Sequence, residues 1–326
     1  QPDRWYCSGI FDHTSWTPSA ATQCTTGRLV DTPGPITGLR RLGSNIVAYK
    51  DSSLYLGQYV EPPTVWSWTL VSSNIGCPSH DAIVNIGKAH VFMGRDNFYI
   101  YDGAQISAIG EPIRRWFFDS QLLRTSESRI QSCHDAGHAL VYWFYPSTAG
   151  TGALDKALVY SYKLGRWGLC EYPVEAAMEF AQTITYDGLG DYYTTYDDGI
   201  ERVYDTPTWI PGTVFAGIIS TGHRTKTIDG VSSSGYFTTW HMGDDQRYTL
   251  FRRFRVRWLD DPTEAKAELY TRAEHGGPFT LRASAWQSNN KFDLLASSRW
   301  HRVKVLTTGD CEVAGVTADV VPQGDW

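Results

Sequence analysis

The chain has 326 residues and a net charge of −6, with 20% charged and 14% aromatic residues. So many aromatic residues exclude a disordered chain, because disordered segments lack apolar surface to bury. The acidic balance argues against a general nucleic-acid binder, which neutralises phosphates with Lys and Arg. No apolar run approaches 18 residues, so no membrane-spanning helix is predicted.

The predicted elements are almost all short strands, because apolar and polar residues alternate with a period of two between turn-forming residues. One short helix is predicted at EPIRRWFFDSQLL (111–123), where a Pro stands near the start of a helically spaced apolar pattern. In chain order, the strand-rich segments are an opening segment at 5–20, hairpins at 43–56 and 87–100, a third unit beginning at 137–145, and a fourth at 190–205.

The hairpins repeat along the chain. GSNIVAYKDSSLYL (43–56) and GKAHVFMGRDNFYI (87–100) align without a gap at an offset of 44 residues. Hairpin units that recur at this spacing are typical of β-propeller blades, whose stacked faces are filled by large aromatic residues. We therefore predict an all-β fold: a β-propeller of about five blade-like repeats over residues 1–235. The opening segment would supply a further blade or the strand that closes the ring.

The pattern changes near residue 235. Longer strands with clean alternation follow, and they predict a C-terminal β-sandwich-like domain over residues 236–326. The six Cys residues lie far apart and form no CxxC pair, which favours buried thiols over a disulfide framework. Cys7 and Cys24 are the one plausible local bridge.

Motifs for catalysis or metal binding are weak. The HDAGH run (134–138) places two His residues four apart, but Gly137 within the run and the strand that follows it favour a turn over a metal site. Adjacent carboxylates, such as Asp244 and Asp245, are explained by turn chemistry, although a propeller glycosidase would draw its acids from different blades. We predict no catalytic residue, no cofactor and no metal ligand.

One strand, LFRRFRVRW (250–258), carries candidate interface residues. Phe254, Val256 and Trp258 would face a core, which places Arg253, Arg255 and Arg257 together on the opposite face. Three positive charges on one strand face repel one another unless a nearby negative charge neutralises them. It could come from cross-strand Asp or Glu residues of the same domain, such as those in LDDPTEAKAE, from a neighbouring subunit, or from DNA phosphates.

A second candidate contact lies in PIRRWFF (112–118). Arg114, Arg115 and Trp116 would contact another subunit or partner, or else form a connector between blades. In VWSWTL, Trp66 and Trp68 lie on one strand face, where they would pack between blades or offer flat platforms for sugar rings.

Three runs resemble a family of structural proteins from the tails of bacteriophages, the tail hub, nozzle or tubular proteins at the neck and tail of short-tailed phages. They are WYCSGIFDHTSW near the start, VFMGRDNFYIYDG followed by IGEPIRRWFF, and the closing RWHRVKVLTTGDCEVAGVTADVVPQG.

This resemblance implies a propeller-bearing, non-enzymatic subunit of the virion that assembles in the host cytoplasm as a homo-oligomeric ring. DNA would pass through the ring without specific binding, and other tail or neck proteins (adaptor, tail fibre or spike) would dock on it. The alternative from the residues themselves is a glycan-binding or glycan-cleaving β-propeller.

Overall fold

The structure, a computed structural model, describes residues 1–181, 214–228 and 234–323. Strands make up most of the regular secondary structure in the described residues, and every strand pair among them is antiparallel. The chain divides into two compact units, Gln1–Ile228 and Asp229–Trp326. None of the described helices is long and apolar enough to cross a membrane.

Unit 1 contains three successive four-stranded meanders, in which strands that neighbour each other in the sheet are also consecutive in the chain. Their strands are β3 (Ile36–Leu42), β4 (Asn45–Lys50), β5 (Leu54–Tyr59) and β6 (Trp66–Ser72); β7 (Ile83–Asn85), β8 (His90–Met93), β9 (Phe98–Tyr101) and β10 (Ile106–Ala108); and β11 (Gln131–Asp135), β12 (Leu140–Tyr145), β13 (Lys156–Ser161) and β14 (Arg166–Cys170).

Two smaller sheets complete the described part of unit 1. A two-stranded sheet precedes the meanders, and a three-stranded sheet follows them. Their strands are β1 (Arg4–Cys7) and β2 (Thr25–Arg28), then β15 (Val174–Ala181), β16 (Val214–Ser220) and β17 (Thr225–Thr227). The predicted fourth repeat at 190–205 lies outside the described residues.

The meanders lie side by side through their first strands. β3 contacts β7, β7 contacts β11, and β11 contacts β15. One continuous apolar cluster runs between their faces and includes Val47, Val91 and Val141 at equivalent places in successive meanders. Because each strand alternates its side chains, one face of a meander packs on the preceding sheet and the other on the next.

The repeat predicted from the sequence is visible in these meanders. The segments 43–56 and 87–100 form the β4–β5 and β8–β9 hairpins. Their turns are joined to each other, since the guanidinium of Arg95 pairs with the carboxylate of Asp51. The stretch that carries Arg95 is therefore a hairpin turn fastened to the equivalent turn of the preceding sheet.

The N-terminal sheet covers the free face of the first meander. Trp5 and Trp68 lie 5.5 Å apart, ring centre to ring centre, and Trp5 is buried with Ala48 and Tyr55. Cys24 donates a hydrogen bond through its thiol to the backbone carbonyl of Cys7, and both cysteines are free. Trp68 is thus a packing residue beneath the N-terminal hairpin.

The predicted helix at 111–123 forms as one α-helical turn, α1 (Arg114–Trp116), that continues as a π-helical turn (Phe117–Gln121). The apolar side of this helical segment is anchored by Phe98, whose ring centre lies 5.2 Å from Phe117 and 5.5 Å from Phe118. Phe98 also contacts Trp143 and Trp167 of the third meander, so it links two meanders to the helix.

Unit 2 consists of two antiparallel sheets that enclose one buried apolar cluster. The first sheet has the order β18-β24-β21-β22, with β19 also paired to β24, and the second has the order β23-β20-β25. The strands are β18 (Gly235–Thr238), β19 (Met242–Gly243), β20 (Thr249–Asp260), β21 (Glu264–Arg272), β22 (Thr280–Trp286), β23 (Lys291–Ser298), β24 (Trp300–Thr308) and β25 (Glu312–Pro322). Phe251, Phe254 and Phe292 fill the core from the second sheet, and Leu269 and Val303 from the first.

Candidate functional site

The arginine strand lies in the centre of the second sheet of unit 2. Its core face carries Phe254 and Val256, which are buried, while Arg255 and Arg257 are exposed. Arg253 forms an ion pair across the sheet, with its Nε 2.7 Å from Oδ1 of Asp293 on β23. The acid that pairs with Arg253 therefore comes from NNKFD, and the acids of LDDPTEAKAE make no ion pair with it. Arg255 and Arg257 have no ion pair with any described residue and remain accessible positive charges, as does the exposed Arg252 on the same strand.

In the second candidate contact, at Arg114, Arg115 and Trp116, the first residue is anchored within unit 1 and the other two are exposed. Arg114 is held within unit 1: its Nε donates to the backbone carbonyl of Asp96 at 3.1 Å, and its Nη2 lies 3.2 Å from the Asp96 carboxylate. Arg115 is exposed, and Trp116 exposes 40% of its surface. Arg114 thus ties the helix to a hairpin turn, and only Arg115 and Trp116 are free for a partner. They lie on unit 1, whereas the arginine strand belongs to unit 2.

The HDAGH run forms the end of β11 and the turn that follows it. The Nδ1 atom of His138 lies 2.7 Å from the Asp135 carboxylate, and His134 faces the hydroxyl of Tyr162 at 3.1 Å. Burial lowers the pKa of His134 despite the nearby carboxylates of Glu179 and Asp135. No group of three metal-binding side chains occurs among the residues that the structure describes.

A polar cavity of about 310 Å³ opens where the first strands of the meanders meet. The sequence did not point to it, because its lining residues come from four separate sheets. The side chains that line it with polar atoms are Arg40, Asp81, Asn85, Gln131, Ser132 and Glu179.

Most of these polar side chains fasten neighbouring sheets to one another. Asn85 donates its side-chain amide to the backbone carbonyl of Arg41 at 2.7 Å. The Glu179 carboxylate accepts the backbone N–H of His134 at 3.1 Å, and Gln131 accepts the backbone N–H of Ala177 at 2.8 Å. The groups that would serve a bound ligand are therefore already engaged in holding the first strands together.

The two carboxylates of the cavity differ in their partners. Asp81 lies 4.0 Å from the Arg40 guanidinium, at the outer limit of an ion pair. Glu179 receives a backbone hydrogen bond instead. A glycosidase requires one carboxylic acid and one carboxylate facing each other across a sugar, about 5 to 9 Å apart. Both carboxylates are thus already engaged by groups of the protein, Asp81 by the Arg40 guanidinium and Glu179 by the backbone N–H of His134.

No protein-family model matches the chain, and no curated protein matches it in sequence. Two solved structures of the exo-β-1,3-galactanase from Phanerochaete chrysosporium show a slight likeness. The structure with β-1,3-galactotriose is 8% identical over 93% of this chain and 87% of the enzyme, with a TM-score of 0.27. The structure with galactose is 7% identical over 96% of this chain and all of the other, with a TM-score of 0.18. A likeness this slight carries no argument about the fold or the chemistry of this chain.

Proposed function

We propose that the chain is a non-enzymatic structural subunit of a bacteriophage tail, a nozzle, hub or neck protein that forms a ring around the DNA channel. In this proposal unit 1 is a β-propeller of about five blades and unit 2 is a β-sandwich. The observation that carries the architecture is the side-by-side arrangement of successive meanders through their first strands. Such stacking produces a rigid disc, which suits a docking module.

The use of the polar side chains supports a structural role. The cavity between the first strands is lined by groups that cross-link sheets, and Arg114 and Arg253 are likewise held by internal carboxylates. A catalytic centre would instead bring acid and base groups together in a cleft so that they converge on one reacting atom. The polar residues of this chain thus serve to hold sheets in register.

Exposed large side chains support association with other subunits. Trp116 is exposed beside Arg115 on unit 1, and Arg255 and Arg257 are exposed on unit 2. Arg and Trp are the residue types that most often anchor protein interfaces. The net charge of −6 would repel DNA phosphates, so that DNA passes through a ring without adhering. Adaptor, fibre or spike proteins of the same tail would occupy the remaining surfaces.

The test is the assembly state of the full chain, measured by light scattering and negative-stain imaging at increasing concentration. We expect a closed ring, and we expect Trp116→Ala combined with Arg115→Glu to shift the population towards monomer. Arg166→Glu, an exposed charge reversal on β14, is the matched control and leaves the ring intact. A chain that stays monomeric at every concentration and does not join tail particles would refute the proposal.

The second candidate function is glycan binding or cleavage, and the cavity of about 310 Å³ with Asp81 and Glu179 in its wall is the observation that favours it. A glycan array together with a hydrolase screen tests this candidate, with Asp81→Asn and Glu179→Gln as the variants that should abolish any signal. If the native chain neither binds nor turns over any glycan, this candidate is excluded.

A further inference from the structure

On one face of unit 2, arginine side chains alternate with aromatic rings along and across two neighbouring strands. On β21 and β24, alternate residues point into the core, so Tyr270, Arg272, Trp300 and Arg302 share the opposite face. The strand register places Tyr270 opposite Arg302 and Arg272 opposite Trp300. Each guanidinium therefore has a ring as its cross-strand neighbour, and we call this surface, together with Phe279, the ladder face.

The guanidinium groups of the ladder face lie against the rings at cation–π distance. The Cζ atom of Arg272 lies 4.7 Å from the ring centre of Phe279 and 5.6 Å from that of Trp300. The Cζ atom of Arg302 lies 4.6 Å from Phe279 and 5.6 Å from Tyr270. Two positive charges thus share one phenylalanine ring, which holds them close together and fixes their position.

Neither guanidinium has an anionic partner among the described residues. Their Nε atoms are buried without a hydrogen-bond partner. Two acids that contact rings of this face are engaged in other hydrogen bonds. Glu268 accepts the hydroxyl of Tyr270 at 2.8 Å, and Asp245 accepts the indole N–H of Trp300 at 2.9 Å. A cation–π contact occupies the flat face of a guanidinium, and because the Nε atoms are buried, the Nη groups at the end of each guanidinium are the donors left for a partner.

A histidine ring lies beside the pair of arginines and adds no charge to it at neutral pH. The ring of His241 lies 4.8 Å from that of Phe279. Burial lowers the pKa of His241, and the charges of Arg272 and Arg302 lower it further. The imidazole is therefore neutral at pH 7 and adds a ring to the surface, while the two arginines retain an uncompensated charge of about +2.

We propose that the ladder face is a carboxylate-binding site that holds an acidic segment of a partner protein. Guanidinium edges match carboxylate oxygens in a planar, two-bond geometry, and rings on both sides fix the donors in advance. A protein segment is favoured over nucleic acid because the charge is confined to two residues and the chain as a whole carries −6, which disfavours a long polyphosphate. The site does not depend on the tail function proposed above.

The test uses the full chain and an acetylated, amidated hexaglutamate peptide, titrated at low salt by calorimetry. We expect saturable binding, weakened at least about tenfold by Arg272→Gln or Arg302→Gln, since each removes charge-assisted hydrogen bonds. Arg302→Lys keeps the charge but loses the planar fork, so its loss should be intermediate. Arg166→Gln, an exposed change on β14 of unit 1, is the matched control and should alter affinity less than about twofold.

A second measurement covers variants that fail to fold. Phenylglyoxal modifies accessible arginines, and in the native chain hexaglutamate should protect Arg272 and Arg302 but leave the exposed Arg166 of unit 1 reactive, as read by mass spectrometry. No peptide binding, or binding without this protection, would overturn the proposal. Tighter binding of a thymidine hexanucleotide through the same two arginines would reassign the site to nucleic acid and would overturn it equally.

Discussion

Removal of one hydroxyl group, by Tyr49→Phe, should weaken the joint between the first two meanders. Tyr49 on β4 and His90 on β8 are both fully buried, and the Tyr49 hydroxyl lies 2.9 Å from Nδ1 of His90. The other ring nitrogen, Nε2, lies 2.8 Å from the backbone carbonyl of Arg41, an acceptor, so Nε2 carries the proton. Nδ1 is therefore the acceptor, and the Tyr49 hydroxyl is its donor.

The expected loss of stability follows from the buried acceptor that the substitution leaves without a donor. The phenylalanine ring fits the same space, but Nδ1 of His90 remains buried without a donor. A buried acceptor left unsatisfied costs about 1–3 kcal/mol. In a unit of this size, each kcal/mol lowers Tm by about 2–4 °C. Burial also raises the pKa of Tyr49 well above its usual range, so the hydroxyl remains a donor at every pH of the experiment.

Urea denaturation followed by tryptophan fluorescence measures the change in the free energy of unfolding. Tyr59→Phe is the matched control, because the Tyr59 hydroxyl also makes one hydrogen bond, to Gln23 at 2.8 Å, but the side chain is 49% exposed. Water replaces that partner, so the control should change stability by less than about 0.5 kcal/mol. If the two variants were equally stable, the buried hydrogen bond would not be what joins the meanders.

Three further predictions concern individual buried side chains. Burial lowers the folded-state pKa of His90 and His301, so the unfolded state binds more protons than the folded state below about pH 6.5. The free energy of unfolding should therefore be highest above that pH and decrease as the pH falls through the lowered pKa values. A urea midpoint that stays constant between pH 7.5 and pH 5 would contradict this. Phe98→Ala should lower the free energy of unfolding by about 3–5 kcal/mol in the same urea assay. The control, Leu164→Ala at an exposed turn, should leave the free energy of unfolding almost unchanged. Equal losses of stability in the two variants would argue against Phe98 as the link between meanders. Cys77 is buried, and burial raises the pKa of its thiol to about 12. A thiol reagent should therefore label the exposed Cys170 in the folded chain and react with Cys77 only after unfolding. Equal labelling rates for the two cysteines would show that Cys77 is not buried.

Much of the local structure could be predicted from the sequence. Alternation of apolar and polar residues and the polar turns at 51–53 and 95–97 predict the hairpins that the structure shows. The short helix begins within the predicted segment 111–123. These features are local, because side-chain period and turn chemistry depend on neighbours a few residues apart. The alternation on β20 likewise places Phe254 and Val256 in the core.

What the sequence left undecided concerns residues far apart in the chain. The alternation placed Arg253 on the outer face of its strand, but only the register of β20 against β23 identified Asp293 as its partner. The polar cavity and the ladder face arise in the same way, since each gathers residues from separate strands. The residue pattern was enough to predict an all-β chain built of repeated hairpins, without a recognisable catalytic motif. Which polar side chains hold sheets together, and which, such as Arg272 and Arg302, have no acidic partner among the described residues, became clear from the fold, because it depends on pairings between distant strands.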